Sequence, residues 1–258
     1  IELSDQIQHC DIVIHLAADV GLPNAVENPV ESLMVNVRGV QNVLAAAYKF
    51  NKKVVLASSS EVYGKNINGP LREEDDLILG PTTVFRWTYS SAKIMNEQFA
   101  LAYSQKGLPV VCLRIFNTYG PRLNEDSVMN IFLCQALEGK TITVSGDGQQ
   151  KRSFTYVSDV VNGIYRAAFD CPAAWGEIIN LGSDEEFTIA DVALKIKELT
   201  GSSAKVTYDH PWLDNTQRRV PNLDKARKLL GYNSRTSFDQ GLASTVEWAK
   251  AYYGVKSS

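Results

Sequence analysis

Val54-Val55-Leu56-Ala57 is an unbroken apolar run of strand length that ends abruptly in Ser58-Ser59-Ser60-Glu61-Val62-Tyr63-Gly64. An apolar run without alternation reads as a strand buried on both faces, the condition of a parallel strand covered by helices. Polar groups then stand where the strand ends. Ligands of open α/β sheets gather beyond the carboxyl ends of the strands, so these hydroxyls and this carboxylate are candidates for chemistry. About 30 residues on, Tyr89-Ser90-Ser91-Ala92-Lys93 opens a helix-compatible run that extends to Lys106 and stops at Gly107. Tyr89 and Lys93 are i and i+4, so a helix sets them on one face about 5–6 Å apart. The ammonium is expected to lower the phenol's pKa through its field. A phenol with its ordinary pKa of about 10 is a poor base at neutral pH, and a neighbouring cation corrects that, as alcohol oxidation requires. Tyr-x-x-x-Lys alone is more often a solvated helix face; the hydroxyl cluster at a strand end upstream reverses that reading.

Asp11–Ala18 reads as a parallel core strand, Val110–Ile115 as the next buried strand and Glu177–Gly182 as another. Asn28-Pro29 opens a helix whose Val30, Leu33, Met34, Val37, Val40 and Leu44 form an apolar stripe. Asn36 interrupts the stripe with a polar amide, which a packing hydrogen bond would account for. Past Gly120-Pro121-Arg122 the composition changes, with a helix over Val128–Leu137, a short strand over Thr141–Ser145 and a turn at Gly146-Asp147-Gly148, as in a smaller lobe. Ser158 is suited to N-cap a helix through Val160, Val161, Ile164, Ala167 and Ala168. Thr188 and Asp191 resemble a capping box for a helix over Val192–Leu199 closed by Gly201, and two helices, Leu223–Leu230 and Phe238–Tyr253, follow. Strands alternating with helices define the α/β class with a parallel sheet. No Gly-x-Gly-x-x-Gly or Gly-x-x-Gly-x-x-Gly turn, the usual cradle for a pyrophosphate, occurs in the 258 residues.

The net charge of −3 offers no electrostatic ground for nucleic acid or an anionic membrane, so neither partner is expected. Cys10, Cys112, Cys134 and Cys171 are far apart and without Cys-x-x-Cys spacing, which favours reduced thiols over disulfides or zinc. His9, His15 and His210 form no metal-ligand cluster. No apolar stretch approaches the roughly 18–20 residues of a spanning helix and no signal peptide opens the chain, so a soluble cytoplasmic protein is expected.

Five motifs occur in a fixed order over nearly the whole chain: His15-Leu16-Ala17-Ala18; Ser59-Ser60-Glu61-Val62-Tyr63-Gly64; Tyr89 with Lys93; Arg114-Ile115-Phe116-Asn117-Thr118-Tyr119-Gly120-Pro121-Arg122; and Arg152-Ser153-Phe154-Thr155-Tyr156-Val157-Ser158-Asp159. Jointly they resemble the extended short-chain dehydrogenase/reductases that modify nucleotide sugars. The resemblance implies a doubly wound parallel sheet, Rossmann-like and N-terminally incomplete, with a smaller α+β lobe. Residues 1–120 plus about 157–183 would form the cofactor-binding domain, and 121–156 plus 184–258 the substrate-binding lobe. Relative to the family, roughly 60 residues carrying a first βαβ unit and its glycine-rich turn are expected upstream.

The same resemblance implies NAD as cofactor, a nucleotide sugar, foremost a UDP-sugar, as substrate, and a homodimer through the helices led by Asn28 and Tyr89. Catalytic roles fall to Ser59, Glu61, Tyr89 and Lys93. Cofactor contacts fall to Leu16, Ala17, Ala18, Asn36, Ser58, Tyr89, Lys93 and Phe116, with packing and cofactor contact both open for Asn36. Substrate contacts fall to Asn117, Arg122, Arg152 and Arg219, the last in a turn before Pro221, while Arg86 and Trp87 either orient the Tyr89 helix or line the site. In the family, Tyr89 as phenolate would take the proton of the sugar C4 hydroxyl as hydride passes to NAD, with Ser59 bonding the same oxygen. Return of hydride to the other face gives a 4-epimer, a carboxylate at C5 gives decarboxylation, and a base at C5 gives 4,6-dehydration. Glu61, Gly80-Pro81, Arg86-Trp87-Thr88-Tyr89, Gly176-Glu177-Ile178-Ile179-Asn180 and Arg219 resemble the UDP-glucuronate decarboxylase branch. Decarboxylation of UDP-glucuronate to UDP-xylose or its 4-keto form is therefore the first expectation. A UDP-sugar 4-epimerase and a non-catalytic, nucleotide-sugar-binding or dimerising fragment remain open beside it.

Overall fold

In the computed structural model, which describes residues 2–20, 22–210 and 216–254, the apolar runs meet in one sheet. The first half of the chain runs α1 (Leu3–Gln8), β1 (Ile12–His15), α2 (Leu22–Glu27), α3 (Pro29–Leu33), α4 (Gly39–Lys49), β2 (Lys53–Ser59), α5 (Thr88–Gln105) and β3 (Val110–Ile115). Then come β4 (Thr118–Tyr119), α6 (Val128–Leu137), β5 (Ile142–Ser145), β6 (Lys151–Ser153), β7 (Thr155–Tyr156), α7 (Val157–Tyr165) and β8 (Ile178–Leu181). The rest is β9 (Glu186–Thr188), α8 (Ile189–Thr200), β10 (Val206–Asp209), β11 (Arg218–Arg219), α9 (Asp224–Leu230) and α10 (Phe238–Tyr252).

β1, β2, β3 and β8 pair in that order, all parallel. Alternate residues face opposite ways along a strand, so an unbroken apolar run has something to bury on each side. Val54, Leu56, Val110 and Cys112 pack under Val40, Val43, Leu44 and Ala100 of α4 and α5. Val55, Val111, Leu113 and Ile179 pack under Val160, Ile164 and Ala167 on the other side. The stretch from Asp11 to Ala18 pairs parallel with β2 as expected, over fewer residues. Only Ile12–His15 is extended, at the sheet's edge, with Ile14 and Leu16 exposed.

The helix led by Asn28 is interrupted by a π-helical turn at Met34–Arg38. Asn36 explains it. Its side-chain oxygen accepts from Asp19 N (3.0 Å), its amide donates to the Asp19 carbonyl (2.9 Å), and its own carbonyl receives the Asn96 side chain (3.0 Å). A side chain inserted into the backbone ladder widens it. The apolar stripe is buried only from Val40 onward; Val30, Leu33 and Met34 are exposed.

The smaller lobe has its own core, built from Phe132, Leu133, Ile142, Val144, Val192, Ile196, Phe238 and Leu242. Its α8 opens with the expected capping box of Thr188 and Asp191 and closes at Gly201 in the left-handed region. Ser158, expected as an N-cap, lies inside α7, whose N-cap is Tyr156. Leu223, Ala226 and Leu230 of α9, with Tyr232, pack on the central sheet. Arg219, expected in a turn, is a strand residue of β11 paired with Arg152 of β6.

Candidate active site

The site forms where β2 ends. Ser59 caps a short 3-10 turn, Ser60–Tyr63, by accepting from Glu61 N at 3.2 Å. That turn holds Glu61 beside the end of the strand, and α5 brings Tyr89 to the same place, its hydroxyl close enough to Ser59 for that group to favour the phenolate. One turn on, the buried Lys93 donates from Nζ to the Ala57 carbonyl (2.7 Å) and lies 5.5 Å from the centre of the Tyr89 ring. The expected constellation of Ser59, Tyr89 and Lys93 is therefore assembled on one spot.

Its electrostatics differ from the expectation. Burial pushes the Tyr89 phenol up to about 12; Ser59 works the other way, and the charges of Glu61 and Asp19 add to the rise. Lys93 is no counterweight, because its ammonium is turned to a backbone carbonyl and burial pulls it down to about 8. Desolvation of both groups outweighs their mutual attraction.

Glu61 is ringed by arginines. Arg219 Nη1 donates to its Oε1, and Arg86 Nη1 lies 3.0 Å from Oε2 as an ion pair without hydrogen-bond alignment. Burial raises the Glu61 carboxyl, but Arg219 and then Arg86 more than offset that and hold it at about 2. Glu61 is thus an anion across the neutral range and no general base as placed. Arg86 is itself fixed by stacking on the buried Trp87, with its guanidinium 5.0 Å from the ring. Gly80 admits that indole: a Cβ there would lie 2.2 Å from Trp87 Nε1. Arg219 is buried and donates through Nη2 to Thr216 Oγ1 (3.0 Å), which in turn donates to the Gly64 carbonyl (2.8 Å). Arg152 completes the group, brought down to about 10 by burial and by the neighbouring Arg219. Three guanidinium groups thus gather about one carboxylate, while the charges felt by the Tyr89 phenol are those of Glu61 and Asp19.

The other expected site residues divide. Leu16 and Ala17 are exposed and Ala18 half-buried at the end of β1, and His15 beside them is lowered by burial and by Lys93. Asn117 is half-exposed, its carbonyl accepting from Thr155 N at 2.8 Å. Arg122 is exposed, with a φ of 64°. Asn36 is hydrogen-bonded to Asp19, and Phe116 is buried against Tyr63. The Ser58 hydroxyl, expected at a cofactor, points inward to Glu97 at 2.5 Å, because neighbouring strand residues face opposite sides. Sequence reasoning passed over Glu97, Arg114 and Thr216. The signal for Glu97 was available, since it stands four residues beyond Lys93 on the same helix face.

NAD fits the donor set at this point. Two alanines line the end of β1, Lys93 has one of its three N–H donors on Ala57, and Tyr89 stands next to both Lys93 and Ser59. Small apolar residues beside an ammonium and a phenol suit the nicotinamide riboside end of the cofactor.

Comparison with known proteins gives the same answer. The family model described as the NAD dependent epimerase/dehydratase family matches residues 1–182. A UDP-N-acetyl-alpha-D-glucosaminuronate decarboxylase of Bacillus cytotoxicus is 40% identical over 251 residues, covering 93% of this chain and 77% of its own. A UDP-glucuronic acid decarboxylase 1 of Xenopus tropicalis is 36% identical over 241 residues; the match takes in 92% of this chain but only 56% of that protein's length. A UDP-glucuronic acid 4-epimerase from Bacillus cereus, solved with UDP-glucuronic acid and NAD, superposes with a TM-score of 0.90 at 29% identity, over 98% of this chain and 79% of the other. The chain belongs to the NAD dependent epimerase/dehydratase family.

Proposed function

We propose that this chain oxidises the C4 hydroxyl of a UDP-linked hexuronic acid with NAD and releases its C6 carboxyl as CO2, giving a UDP-pentose or its 4-keto form. One observation carries the reading: the Ser59–Tyr89 pair stands beside a carboxylate held by Arg219 and Arg86, with Arg152 adjoining. Positive charge gathered at the reacting end suits a sugar that brings a carboxylate there. Among the described residues the buried Nε of Arg219 has no hydrogen-bond partner, which leaves a donor for an incoming anion. Both decarboxylases reported above are named for acidic sugars.

Tyr89 as phenolate removes the C4 hydroxyl proton while Ser59 holds the oxygen. NAD, when bound, would supply the acceptor for the C4 hydride and, for the pentose product, the hydride that reduces the ketone. The resulting ketone lies β to the carboxylate, so the C5–C6 bond breaks, its electron pair passes into the C4 carbonyl as an enolate, and CO2 leaves. Tyr89 is then a neutral phenol of high pKa, and together with Ser59 it donates hydrogen bonds to the enolate oxygen. A proton returns to C5. None of these steps asks Glu61 to act as a base; its task is to hold Arg219 and Arg86 in place.

A 4-epimerase is the second reading, favoured by the fully engaged Glu61 and by the superposition on a glucuronic acid 4-epimerase. Incubation with UDP-glucuronate, and separately with its 2-acetamido counterpart, in the presence of NAD is expected to release CO2. A 4-epimer without CO2 transfers the assignment to the second reading; no change in either sugar overturns both.

We infer a homodimer, which the exposed Val30, Leu33 and Met34 support, with the groove that Gln41, Asn42, Ala45, Phe99, Ala102 and Tyr103 line between α4 and α5. Light scattering is expected to give twice the chain mass, and Met34→Glu to lower it; a monomer in dilute buffer sinks this assignment. The cytoplasm suits four unpaired cysteines, and among the described residues no helix is long and apolar enough to cross a membrane.

A further inference from the structure

Behind the Ser59–Tyr89 pair lies a buried polar cluster that the proposed chemistry leaves unused. Glu97 of α5 is almost fully buried, and Arg114 of β3 grips it with Nε at 2.9 Å from Oε1 and Nη2 at 2.8 Å from Oε2. Ser58 donates to Oε1 at 2.5 Å. The same guanidinium donates from Nη1 to the Glu73 carbonyl (3.0 Å) and lies 4.8 Å from the Tyr63 ring, whose hydroxyl donates to Asn180 Oδ1 (2.8 Å). A buried ion pair is a weak source of stability, since desolvation consumes most of the attraction. Its use lies in fixing geometry.

Tyr89, Lys93 and Glu97 recur every four residues along one face of α5. They meet three consecutive residues at the end of β2: Tyr89 meets Ser59, Lys93 meets Ala57, and Glu97 meets Ser58. The helix is thereby fastened to the strand end at three points, of which only the first two belong to the accepted constellation. We propose that Glu97 is the positioning residue of this site, locking the register of α5 against β2 and serving as the counter-charge of Lys93. The inference rests on the oxidative reading of Tyr89 and Lys93. Burial depresses the Lys93 ammonium, and Glu97 opposes that depression.

The groups that face Lys93 are few. His15 ends β1, Cys112 and Arg114 come from β3, and Tyr89 and Glu97 share its helix. Glu61 and Arg86, in the turns packed on α5, are paired with each other, while Glu27, Glu31, Arg38 and Lys49 on the neighbouring helices are exposed. Glu97 is the carboxylate that acts on Lys93, while Asp19, beyond β1, acts on Tyr89.

The test compares Glu97→Gln, Ser58→Ala and the neutral pair Glu97→Leu with Arg114→Met, in full-length protein with NAD. Lys93 is titrated by NMR on protein carrying 13C at lysine Cε, its signal assigned by loss in Lys93→Arg. Removing a negative neighbour disfavours the ammonium, so in Glu97→Gln the Lys93 titration and the alkaline limb of kcat should both move down by about one unit. Turnover should fall by about 10²-fold with KM nearly unchanged, because the reacting groups lose their register. Ser58→Ala should lower kcat without moving the titration. Should Glu97→Gln unfold because Arg114 is left unpaired, the neutral pair keeps the buried volume; it removes a positive and a negative neighbour of Lys93 together, so the titration should move by less than in Glu97→Gln while turnover still falls. An unshifted Lys93 titration in folded Glu97→Gln overturns the proposal even where turnover drops, since lost packing alone would lower turnover, and wild-type turnover in the neutral pair overturns it too. If wild-type protein turns over neither sugar, the functional reading fails separately and the titration still decides the role of Glu97.

Discussion

Tyr89→Phe is expected to leave a folded protein whose turnover of a UDP-hexuronate is lower by about 10²–10⁴-fold, the span that general-base catalysis supplies. The substitution removes one oxygen. The ring keeps its place on α5 and keeps the Lys93 ammonium 5.5 Å from its centre, so the fold should lose little. What disappears is the acceptor for the C4 proton, a contribution made in the transition state, so kcat should fall while KM holds. The pH profile of the wild type supports the same assignment. With the phenol near 12, the phenolate fraction and with it kcat/KM should climb with pH until the Lys93 ammonium is lost above about 8. Steady-state kinetics beside thermal unfolding of both proteins make the comparison. A folded Tyr89→Phe protein within threefold of wild-type turnover would remove Tyr89 from the chemistry.

Much of the frame was legible because its determinants are local. The run Val110–Ile115 and the helix Val128–Leu137 fall where the apolar pattern places them, and the capping box at Thr188 is a short-range device read directly from residue types. Position within the sheet is not local. Asp11–Ala18 has the composition of a core strand, and its extended part, Ile12–His15, pairs parallel with β2; which strands neighbour which is settled by segments far apart in the chain. The short strand of Arg219 beside Arg152 depends on such pairing too. At the site, residue type identified Ser59 and Tyr89, but the parity of β2 decided that Ser59 meets the phenol while Ser58 turns inward to Glu97. The charge balance was the least legible part. Tyr89 and Lys93 sit one turn apart as expected, but how far each is desolvated depends on the packing of β1, β2 and β3 around them.

Arg219→Leu should be the most damaging change to stability within the site, at about 3 kcal/mol, the lower part of the range for breaking a buried charge pair. Arg219 is 3% exposed and bonds both Glu61 and Thr216; its loss leaves Glu61 with Arg86 alone, 3.0 Å away. That remaining partner is the reason to expect the lower part of the range. The sign of the pH dependence follows from linkage. Glu61 has a folded-state pKa of about 2 against an ordinary value of 4.5, so it contributes stability above the ordinary value and loses it as pH falls toward the lower one. In Arg219→Leu the folded pKa returns toward the ordinary value, so the gap between wild type and variant should be full at neutral pH and close as the pH drops from 4.5 toward 2. Urea unfolding across that window measures it, and Glu61→Gln in both backgrounds isolates the pair. A gap that stays constant with pH would mean that Arg219 acts through packing alone and that Glu61 owes its charge to Arg86. A gap that closes fixes Glu61 as the anchor of the arginine cluster, which leaves the task of meeting an acidic sugar to the arginines themselves.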